Sequence, residues 1–273
     1  MRNFLLVLAA FSLLAVSGCF SREGDDMLAR VQRDSVLRIG VKADSPPFGS
    51  MTKGERSGFD IDIAYAVANR LGVQRVDFVT VTADQRSDRV VAGEVDCVIA
   101  SMTRTRYRER RVDFSIPYFQ DGQSLMVPTG SPIGSYLDLG GRRVGVVKGS
   151  TSSWYLKQVA PDALDVVIES YDDLARNLAL GRVDAISSDR MLLMGLKRRT
   201  PALSSAVLVG DPFTVEPYAI AVPENQSAFR KAIDHALIAM WEDGTYQGIR
   251  DTWFGPGSAY ELTESFAIPV YPK

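Results

Sequence analysis

The chain has 273 residues, of which 46% are hydrophobic and 23% charged; this is globular composition, with material for two cores of about 100 residues each, and it excludes a disordered or fibrous chain. A formal charge of -2 and a pI near 5.6 give no electrostatic reason for a nucleic-acid partner. His235 is the only histidine and Cys97 stands far from it in sequence, which argues against a His/Cys metal site and a serine triad.

The first segment reads as an export signal. Arg2 gives a positive start, Phe4 to Val16 an apolar run too short to span a bilayer comfortably, and Val16-Ser17-Gly18-Cys19 a small-residue end resembling a bacterial lipobox. Residues 1–18 are then a cleaved signal peptide, Cys19 carries the lipid, and 19–35 form a polar tether with room for a brief helix. Cys97 becomes the one thiol of the mature chain, with no internal disulfide.

The first strand is predicted over LRIGVKAD from Val36, ending at Ser45-Pro46-Pro47-Phe48 with Lys42 and Asp44 at its exit. A helix follows, with Asp60 as cap, Ile63, Ala64, Val67, Ala68 and Leu71 at helical spacing and Gly72 as the stop. Strand 76–81 leads to a short helix through Arg89, Val90 and Val91; Arg86 falls near its start, against the helix dipole. Alternating Val95, Cys97 and Ile99 then deliver Ser101 and Thr103 to a strand end. Thr103 or Thr105 is expected to cap a short arginine-rich helix, and hydroxyls, free N–H groups and a guanidinium fork gathered there suit a carboxylate, held by Ser101, Thr103 and Arg108.

Residues 113–118 read as a loop and 123–127 as a strand closed by Pro128. A second α/β unit begins with strand RRVGVV, the turn Lys148-Gly149-Ser150-Thr151 and a helix over 152–159; the turn makes a second anion seat but lacks the phosphate-loop pattern. Strand 164–168, helix 172–180, strand 183–187 and Asp189, facing a helix start at Arg190, complete the unit. Strand 218–222 and helices over 227–242 and 245–253 close the chain, with His235 inside the longer helix.

The halves echo each other: Arg38-Ile39-Gly40-Val41 against Arg143-Val144-Gly145-Val146, and Gly93-Glu94-Val95-Asp96 against Gly181-Arg182-Val183-Asp184. Because α/β sheets bind ligands beyond the carboxyl ends of their strands, the repeat predicts two lobes facing across a cleft. The chain is expected to cross between them twice, with residues 36–125 and 221–256 in the first lobe, 126–220 in the second and 257–273 as a tail.

The segments IGVKADSPPF, SGFDIDIAYAVANRLG, GEVDCVIASMTRTRYRERRVDFSIPYF, RRVGVVKGSTSS, GRVDAISSD, EPYAIAVP and GTYQGIRDTWFG, in that order over 36–255, resemble the extracellular solute-binding proteins of family 3, the polar amino-acid receptors of bacterial ABC importers. The resemblance implies an α/β, two-lobed periplasmic-binding-protein type II (Venus flytrap) fold with two interlobe crossovers, no cofactor and no catalysis. It implies that Ser101, Thr103 and Arg108 hold the ligand's α-carboxylate, that Ser150 and Thr151 close on it from the other lobe, and that Asp189 pairs with the α-ammonium. Glutamate- and aspartate-binding members are similar to this chain in a lysine at the position of Lys42 and an arginine at that of Arg86, with Asp44 beside them. Once Arg108 and Asp189 neutralise the zwitterionic head, Lys42 and Arg86 remain for a side-chain carboxylate. Ala100 stands where many relatives have a hydroxyl, and Ser45 where an aromatic ring often stacks. The expectation is a monomeric, lipid-anchored receptor that passes an acidic amino acid to a membrane permease. The rivals are a sensor docking on a signalling protein, a binder of glutamine or another polar amino acid, and an enzyme resembling cyclohexadienyl dehydratase.

Overall fold

The computed structural model describes residues 26–262 and 266–268. The signal peptide and Cys19 lie outside the described residues. The expected tether is a helix from Met27 to Asp34 where it is described, started by Asp26, whose carboxylate accepts from the Leu28 N–H at 2.9 Å. Val31 is fully buried and Arg30 reaches Asp96 at 2.6 Å, so this helix is part of the folded unit.

Two five-stranded sheets carry the chain. The first runs Arg75–Thr80, Val36–Val41, Cys97–Val98, Glu216–Val222, Asp113–Asp121, and the second Leu164–Ile168, Arg143–Val147, Ala185–Asp189, Gln123–Val127, Val207–Val209. In each, three parallel strands are extended by two antiparallel ones. The sequence echo has a physical basis in this repetition. Asp96 accepts from the Arg38 backbone N–H at 2.9 Å and its guanidinium at 2.5 Å, and Asp184 accepts from Arg143 in the same two ways at 2.8 Å each. The repeated arginine lies in the first half of an interior strand, and the repeated aspartate precedes that strand's parallel neighbour, so one ion pair fixes the same strand pairing in both lobes.

The expected lobe boundaries shift. Gln123–Val127 pairs wholly within the second sheet and Glu216–Val222 with the first, so the crossovers fall at Gly122 and between Val209 and Glu216. The segment read as a loop over 113–118 belongs to strand Asp113–Asp121. Its Pro117 is tolerated because the strand is at the sheet edge, opposite an irregular register around Ala219. A small sheet of Asp44–Ser45, Gly49–Thr52 and Glu55–Ser57 lies on the first lobe; its strands are too short to show a period.

Helix Phe59–Arg70 has Gly58 at its cap position, two residues before the expected cap Asp60. Its apolar stripe packs with Phe48, Phe119, Tyr246 and Phe254 in an aromatic core, ring centroids 5.0 to 6.2 Å apart. Such burial is worth about 1.5–3 kcal/mol per large side chain. The tail is packed where it is described: Leu262 N–H donates to Phe254 at 2.9 Å, Ile268 is buried, and Tyr260 lies 5.9 Å from the Arg198 guanidinium of the second lobe.

Candidate functional site

The strand ends of both sheets meet at one place between the lobes. Lys42 follows strand Val36–Val41, is 2% exposed, and sets its ammonium 4.0 Å from the ring centre of Tyr171 on the opposite lobe. Arg86 opens the helix Arg86–Val91 and turns inward, 4% exposed. It donates to the carbonyls of Ala83 (2.9 Å), Ala100 (3.0 Å), Ser101 (3.0 Å) and Gly149 (3.4 Å). The expected arginine-rich helix is a single 3-10 turn, Arg108–Arg110, with Tyr107 and not Thr103 or Thr105 at its cap position; the Thr105 hydroxyl accepts from the Arg108 N–H at 3.2 Å. Arg108 donates to Thr103 O at 2.7 Å and to Gly149 O at 2.9 Å.

One carbonyl of the second lobe, Gly149, therefore receives both guanidinium groups of the first. Gly149 has φ +74°, and a Cβ there would lie 2.3 Å from Asp84 Cα. Close approach needs glycine. A second contact of this kind joins the lobes at Gly195, where a Cβ would lie 1.8 Å from Pro46 O. The lobes are closed on each other.

Lys42, Arg86 and Arg108 have no carboxylate oxygen within 4.0 Å among the described residues. Burial, opposed by Asp44 and reinforced by Arg86, pushes the Lys42 ammonium down to about 8. Burial and then the neighbouring Arg86 charge likewise lower Arg108. Asp44 is the partial counterweight: burial would raise it, but Lys42 and donors from Ser45 (2.9 Å) and the Tyr171 N–H (3.3 Å) leave it below the ordinary carboxylate value.

Asp60 is not a helix cap. Its carboxylate lies under the central turn, accepting from the Ser101 N–H at 2.7 Å and the Tyr118 hydroxyl at 2.7 Å, while burial raises it to about 6. Ser101 is held at φ +43°, a strained conformation for a serine that costs on the order of 1 kcal/mol or more. Its hydroxyl is buried without a hydrogen-bond partner among the described residues. Thr103 is fixed beside the site by a bridge to Tyr218.

From the second lobe, Ser150 uses its hydroxyl to shape the turn, donating to Val147 O at 2.6 Å and accepting from the Ser152 N–H at 3.3 Å. Thr151 donates to Glu216 Oε1 at 3.0 Å. Asp189 occupies the position before helix Arg190–Arg199 without capping it; its carboxylate accepts instead from the Gln123 amide and the Tyr218 hydroxyl. Burial raises Asp189, and the hydrogen bond from Tyr218 is the largest opposing effect. His235 is exposed on helix Ser227–Glu242, away from this ensemble.

The nine residues singled out from sequence thus face one interlobe region. The reading missed Asp60, Gln123, Tyr171, Glu216 and Tyr218. Gln123 and Glu216 do carry a signal: each is a polar residue opening an otherwise apolar strand at a crossover. The aromatic pair carries none, because a buried tyrosine at strand or helix spacing reads as core.

Two closed α/β lobes joined by two crossovers, with charged side chains from both lobes enclosed between them, define a two-lobed solute-binding protein of the periplasmic type II fold. The model of the bacterial extracellular solute-binding proteins, family 3, matches residues 37–256, and the chain belongs to that family. It is similar to the ABC transporter glutamine-binding protein GlnH of Bacillus subtilis (strain 168), 38% identical over 91% of this chain and 94% of the relative. Among solved structures it resembles an ancestral arginine-binding protein bound to arginine, with TM-score 0.77 and 39% identity over 81% of this chain and 99% of that one. It also resembles an ancestral arginine-binding protein bound to glutamine, with TM-score 0.76 and 40% identity over 81% of this chain and 98% of that one. The chain is therefore an amino-acid-binding protein of ABC transport and not an enzyme, and an ABC permease is the partner of its family. Among the described residues no helix is long and apolar enough to cross a membrane.

Proposed function

We propose that the protein captures an acidic amino acid, glutamate or aspartate, between its lobes and presents it to a membrane permease. The observation that carries this reading is the set of three buried cations, Lys42, Arg86 and Arg108, with no carboxylate in ion-pairing reach among the described residues. The α-carboxylate is assigned to Arg108 with Ser101 and Thr103, closed over by the turn at Ser150 and Thr151, and the α-ammonium to Asp189. Lys42 and Arg86 then face the side-chain carboxylate, and Asp44 tunes Lys42. A neutral guest leaves desolvated positive charge uncompensated, which costs several kcal/mol in a dry site. Glutamine is the second reading, favoured by Asp44, whose charge offsets that of Lys42.

The protein acts as a monomer, held at the membrane by lipid on Cys19. Acyl chains contribute about 0.8 kcal/mol per buried CH₂, so several together retain a soluble domain. Titration calorimetry with all twenty amino acids tests the ligand: tight glutamate or aspartate binding is expected, and loss of it in Arg108→Ala. Preference for glutamine would reject the acidic reading. Mass spectrometry of the membrane-associated protein tests the anchor, which predicts an N-terminal acylated Cys19.

A further inference from the structure

Glu216 opens strand Glu216–Val222, where the chain re-enters the first sheet, and is fully buried. Its Oε1 accepts from the Thr151 hydroxyl at 3.0 Å, the Gln123 amide at 3.3 Å and the Thr214 hydroxyl at 3.4 Å. Its Oε2 is buried and makes no hydrogen bond of good geometry among the described residues, though the nearby Thr103 side chain also favours the ionised carboxylate. The same Gln123 nitrogen donates to Asp189 and lies 3.3 Å from Thr151 Oγ1. Two carboxylates, one carried by each lobe's sheet, therefore converge on one amide.

That nitrogen has two hydrogens and faces three acceptors. Neither carboxylate has a cation within 4.0 Å among the described residues. Lys42, Arg86 and Arg108 act on Asp189 from farther off, but among the described residues no cation touches either carboxylate, and a primary ammonium brings three N–H groups and one charge in contact. We propose that Glu216 joins Asp189 as a second carboxylate for the ligand's ammonium group, with Oε2 accepting one of its N–H bonds. This deepens the site assignment proposed above, resting on its placement of the ammonium at Asp189 and not on which side chain the amino acid carries.

A proton count follows from this geometry. The charged and titratable neighbours are Asp121 from strand Asp113–Asp121, Asp189 from Ala185–Asp189, Arg108 from the 3-10 turn, Tyr155 from helix Ser152–Val159 and Tyr218 on the same strand; Lys42 and Arg86 act on Asp189. In the free protein burial and then Asp189 raise Glu216 to about 7. An ammonium in contact favours the ionised carboxylate and lowers that value, so binding expels a proton below about pH 7 and affinity rises with pH up to there.

The experiment is titration calorimetry of the full chain with L-glutamate and L-glutamine at pH 6.5, in two buffers of different ionisation enthalpy, on the wild type, Glu216→Gln and Asp189→Asn. Wild type is expected to release a fraction of a proton with whichever ligand binds. Glu216→Gln is expected to lose that release and about tenfold or more in affinity, the scale of one charge-assisted contact. Unchanged affinity in Glu216→Gln, proton uptake by the wild type, or release that persists in Glu216→Gln and vanishes only in Asp189→Asn overturns the proposal. The ratio of glutamate to glutamine affinity judges the acidic-ligand reading separately. If Glu216→Gln does not fold, the wild-type pH series decides: a rise from pH 5.5 to about 7 and then a plateau supports the role, and a flat or falling profile refutes it.

Discussion

Gly195→Ala separates closure from stability, because the two are expected to move in opposite directions. Gly195 lies inside helix Arg190–Arg199, where alanine stabilises a helix by about 0.8–1 kcal/mol over glycine. The φ there is not positive, so the backbone accepts the methyl group without strain. The obstacle is across the cleft: the new Cβ would stand 1.8 Å from Pro46 O and 2.4 Å from Pro46 C. These are backbone atoms that no rotamer change can move aside, so contact is relieved only by parting the lobes. Overpacking of this kind costs about 1–3 kcal/mol, and the open form escapes it. The free variant is therefore expected to melt no lower than the wild type, while its ligand affinity falls about 5- to 150-fold, the fold equivalent of that cost. Calorimetry gives the affinity, and small-angle scattering at saturating ligand gives the radius of gyration, expected larger than that of the liganded wild type. If the variant binds within twofold of the wild type and reaches the same compact radius, the lobes do not close through this contact.

Arg86→Ala should weaken glutamate more than glutamine by about 2 kcal/mol or more, since it removes a buried cation opposite the proposed side-chain carboxylate; equal losses in calorimetry would reject that assignment. Lys42 sets an alkaline limit. Its ammonium titrates at about 8 in the free protein and is held charged by a bound carboxylate, so glutamate affinity should fall as pH rises above about 8 and the fall should disappear in Lys42→Met. The same depressed value means that the unfolded chain binds more protons above pH 8, so Lys42 itself makes stability rise between there and its ordinary value of 10.5. Asp96→Ala removes a buried carboxylate that serves Arg30, the Arg38 side chain and the Arg38 N–H, and should cost about 2 kcal/mol or more; urea denaturation showing no loss would place the strength of that strand pairing elsewhere.

What the sequence made legible was what local rules determine. Helices over 152–159 and 227–242 have the bounds their spacing predicts, and the paired Arg-and-Asp echoes betrayed two similar lobes because each pair fastens a strand to its neighbour. Less legible were features decided between segments distant in sequence. Pro117 made a strand look like a loop because edge position, which excuses a proline, is a property of the assembled sheet. Asp60 looked like a cap because an acid beside a helix start is ordinarily one, yet its oxygens are engaged by Ser101 and Tyr118 from 41 and 58 residues away. The carboxylates around Gln123 illustrate the same limit: a polar residue opening a strand marks Glu216 in sequence, but only the meeting of two crossovers brings it to Asp189. Charge is the exception, because its cost is not local. Arg86 stood out as a cation set against a helix dipole, Arg108 as a guanidinium beside two hydroxyls, and Lys42 through the family resemblance; buried cations without ionic partners are tolerated only where backbone carbonyls, ring faces or a guest supply negative charge. Carbonyls serve the two arginines and the Tyr171 ring serves Lys42, but these are dipoles and a quadrupole. A carboxylate supplies a full charge, and the energetic preference for one is the step that links this fold to the ligand proposed for it.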